Sequence, residues 1–431
     1  MTSDSDGAGE EQLLRPQIRL YDAVATGLAA ILGAGIFAVV APAAGIAGPA
    51  LLISLLIAAT VAFFNAMSST QLARIFPRTG GSYHFGREML GPWWGFMAGW
   101  MFLLANTLGP GVIAIAFGGY AHAAWSSIPA RLAAVVMAIG VTIINASGIK
   151  RSVRVTDVVV LLSVLSLVAV VVLGLPHGDA AHFTPFAPHG AIGVLRATGL
   201  LFFAYTGYSR IATLVEEVHN PERVIPIATT VALGGAAILY ILVATTAIAV
   251  LGAGALSHSS SPLRTTLIVA GVAAGPAIVV GGALVTTFNE ALSDLLGVSR
   301  VAFAMARGGD LPNLLSRVDA NQNPWTSVLF VGVLSVIVAA LAPFTAAVMV
   351  SSFGILAYYL IANLSAFRLK PKDRMFPRWL AVAGFAGCLA LMATLGPAQI
   401  LIGLAAAAVG VLYRWIWLRA SRASDSPMPR R

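Results

Sequence analysis

Between residues 20 and 418 the chain is a succession of apolar segments, most of them long enough to cross a bilayer, joined by short connections that carry most of its charge. About 20 apolar residues span the hydrocarbon layer as a helix. Backbone polar groups at that depth must be satisfied within the segment, which selects helices for a chain with this pattern. With 58% hydrophobic and 10% charged residues and a mean hydropathy of +0.87, the sequence holds more apolar surface than a soluble core can bury. It reads as an all-α polytopic membrane protein with about 12 transmembrane helices. The expected spans are 20–47, 49–75, 92–125, 131–148, 155–175, 192–217, 225–251, 263–304, 324–341, 344–367, 379–395 and 398–418. The third is expected to be interrupted at Gly109-Pro110-Gly111.

Lysine and arginine orient these spans. Only Arg131, Arg196 and Arg264 fall on the outer side and Arg210 lies inside span six, which leaves 22 of the 26 basic residues on the inner side. Such a bias places both termini in the cytoplasm, with the chain in the cytoplasmic membrane. It accounts for the net charge of +9 without a nucleic-acid partner. The first 19 residues hold four acids and no apolar run, so no cleavable signal peptide is expected and the first span serves as the insertion signal. A single cysteine, Cys388, excludes an intrachain disulfide and a cysteine-based metal site. No cofactor and no metal are expected.

Two spans carry irregular centres. Gly33-Ala34-Gly35-Ile36-Phe37 interrupts span one, where each glycine weakens a helix by about 0.5–1 kcal/mol relative to alanine. Span six contains Phe202-Phe203-Ala204-Tyr205-Thr206-Gly207-Tyr208-Ser209-Arg210, with a charge at membrane depth. An opened backbone inside a membrane belongs where it lines a cavity. Interrupted spans five helices apart point to two inverted five-helix repeats with a transport site at their midplane. The chain divides into a cytoplasmic tail (1–19), a first repeat (20–175), a second repeat (192–368), helices eleven and twelve (377–418) and a second tail (419–431). The last two helices read as a packing or dimerisation appendage to a monomer or homodimer.

The motifs resemble those of the amino acid–polyamine–organocation (APC) superfamily. Gly33-Ala34-Gly35-Ile36-Phe37 is similar to its G-x-G-I-F signature, and Pro77-Arg78-Thr79-Gly80-Gly81-Ser82-Tyr83 to the loop after helix two. Phe202 to Tyr208 resembles its opened helix six, Glu216 to Pro226 the element that follows, and Ser299-Arg300 with Ala304 to Pro312 the element after helix eight. The resemblance implies a five-plus-five inverted repeat with broken helices one and six, moving amino acids or related amines by alternating access. It places the substrate carboxylate on backbone N–H groups near Ala34, Gly35 and Ile36, with Gly33 also at the substrate site. It places the α-amino group on carbonyls near Ile31 and near Phe203, Ala204 and Thr206, with Tyr205 and Gly207 beside them; Asn106 in span three reads either as a pocket residue or as an interhelical hydrogen-bond partner. Half-helix N–H groups suit an anion, and unwound carbonyls suit an ammonium. Many proton-coupled members have a lysine in helix five where this chain has Ser163, and some have an acid after the helix-six glycine where it has Ser209.

Glu290 and Asp294 share a face of span eight with Thr286 and Thr287. An acid at membrane depth is rare unless it is paired or lines a pathway. Glu290 is expected either to form a structural pair with Arg210 or to carry a coupling proton; Asp294 is expected near the cytoplasmic end, merely solvated. Ser163, Thr286 and Thr287 could instead hold sodium. Glu216 and Glu217 are gate candidates with Arg78 and Arg154. Trp93, Trp94, Trp100, Trp415 and Trp417 read as interfacial anchors.

The expected function is a secondary active permease for amino acids, proton-linked or facilitative. An amino acid/polyamine exchanger or a sodium-coupled symporter is the alternative. Converging catalytic groups, a charge-ringed pore and a nucleotide-binding loop are all missing from the sequence, which speaks against an enzyme, a channel and an ATP-driven pump.

Overall fold

The computed structural model describes residues 18–76, 80–148, 153–208, 218–319 and 322–424. Span one begins as α1 (Leu20–Ile31), which stops where Leu32 turns extended (φ −72°, ψ 112°). The chain resumes as a π-helical turn over Gly35–Val39 and continues into α2 (Val40–Ala47). Span two is α3 (Leu51–Ile75), and the connection after it holds a short helix, α4 (Ser82–Leu90). Spans three to five are α5 (Pro92–Ala124), α6 (Ala130–Ala146) and α7 (Val153–Gly174). Span six starts as α8 (Gly190–Leu201) and tightens into a 3-10 turn over Phe202–Tyr208. Then come α9 (Pro221–Ser257), α10 (Pro262–Val269), α11 (Gly275–Arg307), α12 (Trp325–Leu341), α13 (Phe344–Phe367), α14 (Arg378–Thr394) and α15 (Pro397–Ser424). Among the described residues these helices cover all twelve expected spans, eight long apolar stretches and three shorter helices with spans one and two counted as one stretch, and span one is broken and span six tightens at its centre.

Two expectations about the spans need correction. The third span is not interrupted at Gly109-Pro110-Gly111, because α5 runs unbroken through Pro110. Its glycines serve packing: a Cβ at Gly109 would meet the Asp294 carboxylate, and one at Gly111 would meet Val338 and the Ser335 carbonyl. Such prolines are tolerated in membrane helices, where neighbours re-satisfy the freed carbonyl. The segment read as one long eighth span is two helices. Gly271, at φ +72°, ends α10, and Pro276 in its first turn starts α11.

The buried apolar residues form two large clusters that meet at the broken helices. One gathers Ile31, Leu32, Ile36 and Phe37 with α3, α8, α9 and much of α13. The other is built from α5, α6, α11 and α12, which pack on one another, and it takes in Ala34 and Ala38 of span one. Helix α15 packs on α5 and α13, and α14 on α3 and α13. Trp93, Trp94 and Trp415 are exposed near helix ends. Trp100 is not an anchor: it donates to the Ala406 carbonyl at 2.9 Å and stacks on Phe96 and Tyr413. Arg414 is not a free inner charge either, since it is 5% exposed and paired with Asp310.

Candidate functional site

The break in span one leaves the last carbonyls of α1 and the first N–H groups of the next half-helix without their usual partners. Side chains from other helices satisfy one group on each side of the break. The Ala34 N–H donates to Glu290 Oε2 at 2.7 Å. The Tyr240 hydroxyl, from α9, donates to the Ile31 carbonyl at 2.6 Å and lies 3.3 Å from the Ala204 carbonyl of span six. A carboxylate at a half-helix start gains both the hydrogen bond and the favourable dipole end, which offsets the cost of an acid at this depth.

The glycines of both breaks allow these approaches. A Cβ on Gly33 would occupy the place of the Glu290 carboxyl. A Cβ on Gly35 would meet Cα and Cβ of Ala204, and one on Gly207 would run into the Ala30 carbonyl. Gly33 thus admits a side chain, whereas Gly35 and Gly207 let the two broken spans touch backbone to backbone. Ile36 is 1% exposed, in the first turn after the break.

Beside Glu290 lies a cavity of about 40 Å³. That is room for about three waters, at roughly 10–15 Å³ of such volume for each. Ala30, Asn106, Phe203, Thr206, Gly207, Glu290, Ser293 and Asp294 contribute to its wall. Asp294 therefore faces the central cavity rather than bulk water at the helix end. Asn106 bonds back to the Phe102 carbonyl at 3.0 Å, and Thr206 to the Phe203 carbonyl at 2.9 Å. Tyr205 is fully buried and lies outside the cavity wall, with its ring 5.3 Å from that of Tyr240.

The hydroxyls considered for sodium are engaged within the protein. Ser163 and Thr286 lie 2.5 Å apart, Ser163 also donates to the Val159 carbonyl at 2.7 Å, and Thr287 to the Ala283 carbonyl at 2.6 Å. Arg210, Glu216, Glu217 and Arg78, and the side chain of Arg154, lie outside the described residues. On the side where α1 begins, the His219 N–H donates to the Ile18 carbonyl at 3.0 Å, and Arg74 pairs with Glu222 at 3.0 Å. Tyr240 escaped the sequence reading. Its signal was a lone tyrosine in an otherwise apolar stretch, since a buried tyrosine hydroxyl usually finds a partner.

A model of the amino acid permease family matches residues 18–418. The chain belongs to that family. An uncharacterised transporter of Mycobacterium tuberculosis is 41% identical over 419 residues, covering 96% of this chain and 94% of that one. A branched-chain amino acid permease of Bacillus subtilis is 28% identical over 392 residues (86% and 84%). Cationic amino acid transporter 4 of Mus musculus is 29% identical over 380 residues, covering 82% of this chain and 60% of that one. This amino acid permease is a multi-pass membrane transporter and not an enzyme.

Proposed function

We propose that this permease carries amino acids across the cytoplasmic membrane by alternating access, with proton-linked or facilitative transport and both termini in the cytoplasm. The substrate head group binds at the broken helices, its carboxylate on the N–H groups that begin at Ala34 and its ammonium on carbonyls such as those of Ile31 and Phe203. One observation carries this reading: the break already holds a carboxylate at Ala34 N–H and a hydroxyl donor at Ile31 O, the polarity that an amino acid head would require. The names of the relatives support the substrate class. In this reading 20–175 and 192–368 are inverted repeats, the site lies where the two apolar clusters meet, and the clusters rock against each other during transport.

Counterflow in proteoliposomes, with a panel of amino acids and polyamines, tests this. The assay is repeated with a proton gradient, with a sodium gradient, and with Glu290→Gln. Accumulation driven by the proton gradient, lost in Glu290→Gln while counterflow remains, makes Glu290 the coupling residue. The second reading is an exchanger of cationic amino acids or polyamines. Two carboxylates, Glu290 and Asp294, on the cavity wall favour it. It predicts normal counterflow that neither gradient changes.

A further inference from the structure

Glu290 sits where the amino acid reading puts the substrate's own carboxylate. Its Oε2 accepts the Ala34 N–H at 2.7 Å, and its carboxyl fills the space over Gly33 where a Cβ would otherwise stand. One N–H carries one hydrogen, and two carboxylates crowded onto it repel each other. An incoming carboxylate and a seated Glu290 therefore exclude each other. The cavity alongside, at about 40 Å³, is too small for a whole amino acid until something on its wall moves. Glu290 is on that wall.

Rigid surroundings favour Glu290 as the moving part. Gly35 is packed against the Ala204 backbone and Gly207 against the Ala30 carbonyl, so neither broken span can shift alone at the contact. The Glu290 side chain has three rotatable bonds, and the atoms that lie over Gly33 are those of its carboxyl group. Ala34 lies in the same apolar cluster as the part of α11 that follows Glu290, so the carboxyl can leave its seat without separating the two clusters.

We propose that Glu290 is a resident stand-in for the substrate carboxylate. It holds the Ala34 N–H in the ligand-free carrier and is displaced by the carboxylate of an amino acid, which takes over that N–H. This rests on the amino acid reading for the identity of the displacing ligand, but not for the seating of Glu290. An amine without a carboxylate leaves Glu290 seated on the Ala34 N–H, so the carrier distinguishes an amino acid from its decarboxylated counterpart at this one side chain.

The test uses purified full-length protein and two measurements. The first is hydrogen–deuterium exchange of the peptide containing Ala34, in the ligand-free wild type and in Glu290→Ala. The expected result is exchange at least ten-fold faster in the variant; equal exchange in a folded variant overturns the proposal. The second is equilibrium binding of lysine against cadaverine, and of leucine against isopentylamine, to the wild type and to Glu290→Gln, which keeps the shape and removes the charge. The expected result is a gain of about ten-fold or more in affinity for the bound amino acid, with no gain for its amine partner. An unchanged amino acid-to-amine ratio overturns the proposal. If none of the four ligands binds either form, the amino acid reading fails for these substrates, and exchange at Ala34 alone still decides whether Glu290 holds the seat.

Discussion

At the scale of single residues, the glycines at the two breaks have unequal duties. Gly207 faces the Ala30 carbonyl, a backbone atom that cannot rotate aside, whereas Gly33 faces the far end of a flexible side chain. Gly207→Ala is expected to cost about 1–3 kcal/mol or more by overpacking and to abolish counterflow. Gly140, inside α6 with open space around its Cα, is the control. Gly140→Ala is expected to be neutral or to stabilise by about 0.5–1 kcal/mol through helix propensity. Thermal unfolding of the two detergent-solubilised variants separates these outcomes; equal shifts would mean that the contact at Gly207 is not tight. That glycines mark the breaks was legible in the sequence. Which of them admits Glu290 and which admits a neighbouring backbone was not, because the facing atoms come from residues far away in the chain.

At the scale of elements, the last span is tied into the permease by a buried ion pair. Asp310 lies in the turn after α11 and Arg414 in α15, and they are 3% and 5% exposed. Asp310 also accepts from the Tyr83 hydroxyl of α4 at 2.9 Å and lies 3.7 Å from Arg87, while the Arg414 guanidinium covers the Phe96 ring at 4.9 Å. Breaking one side of such a pair leaves a buried charge, at a cost of about 3–5 kcal/mol. Asp310→Ala is therefore expected to lower the thermal unfolding temperature markedly, and the double variant Asp310→Leu with Arg414→Met to recover most of the loss. A single variant as stable as the wild type would show that the pair contributes nothing. In the sequence Arg414 was one more inner-side charge at a helix end, and nothing there linked it to an aspartate 104 positions earlier. Gly109-Pro110-Gly111 misled in the opposite direction. It has the residue types of a broken helix, but its glycines meet α11 and α12, and those helices hold α5 straight.

At the scale of the molecule, two packed clusters with a small cavity between them are the form expected of a carrier that opens to alternate sides. Thr142 and Gly332 lie face to face inside one cluster, on α6 and α12. Ala30 and Ser293 both line the cavity, on α1 and α11. Cysteines introduced at Thr142 and Gly332 and joined by a short thiol cross-linker are expected to leave counterflow largely intact. The same linkage between Ala30 and Ser293 is expected to stop turnover, and counterflow that survives it would exclude relative motion of α1 and α11. The native Cys388 is fully buried and does not compete.

Hydropathy and the distribution of arginine by themselves determined a helical membrane protein of twelve spans, because the cost of exposing polar backbone to lipid acts on each segment separately. The glycine-bearing centres of spans one and six likewise declared themselves, since local backbone freedom is a property of neighbouring residues. Only the tertiary structure decided what fills those openings. Glu290 reaches Ala34 across 256 positions and Tyr240 reaches Ile31 across 209. Such contacts depend on how helices are arranged around one another, and a single sequence states the polar side chains without stating which backbone group each will meet.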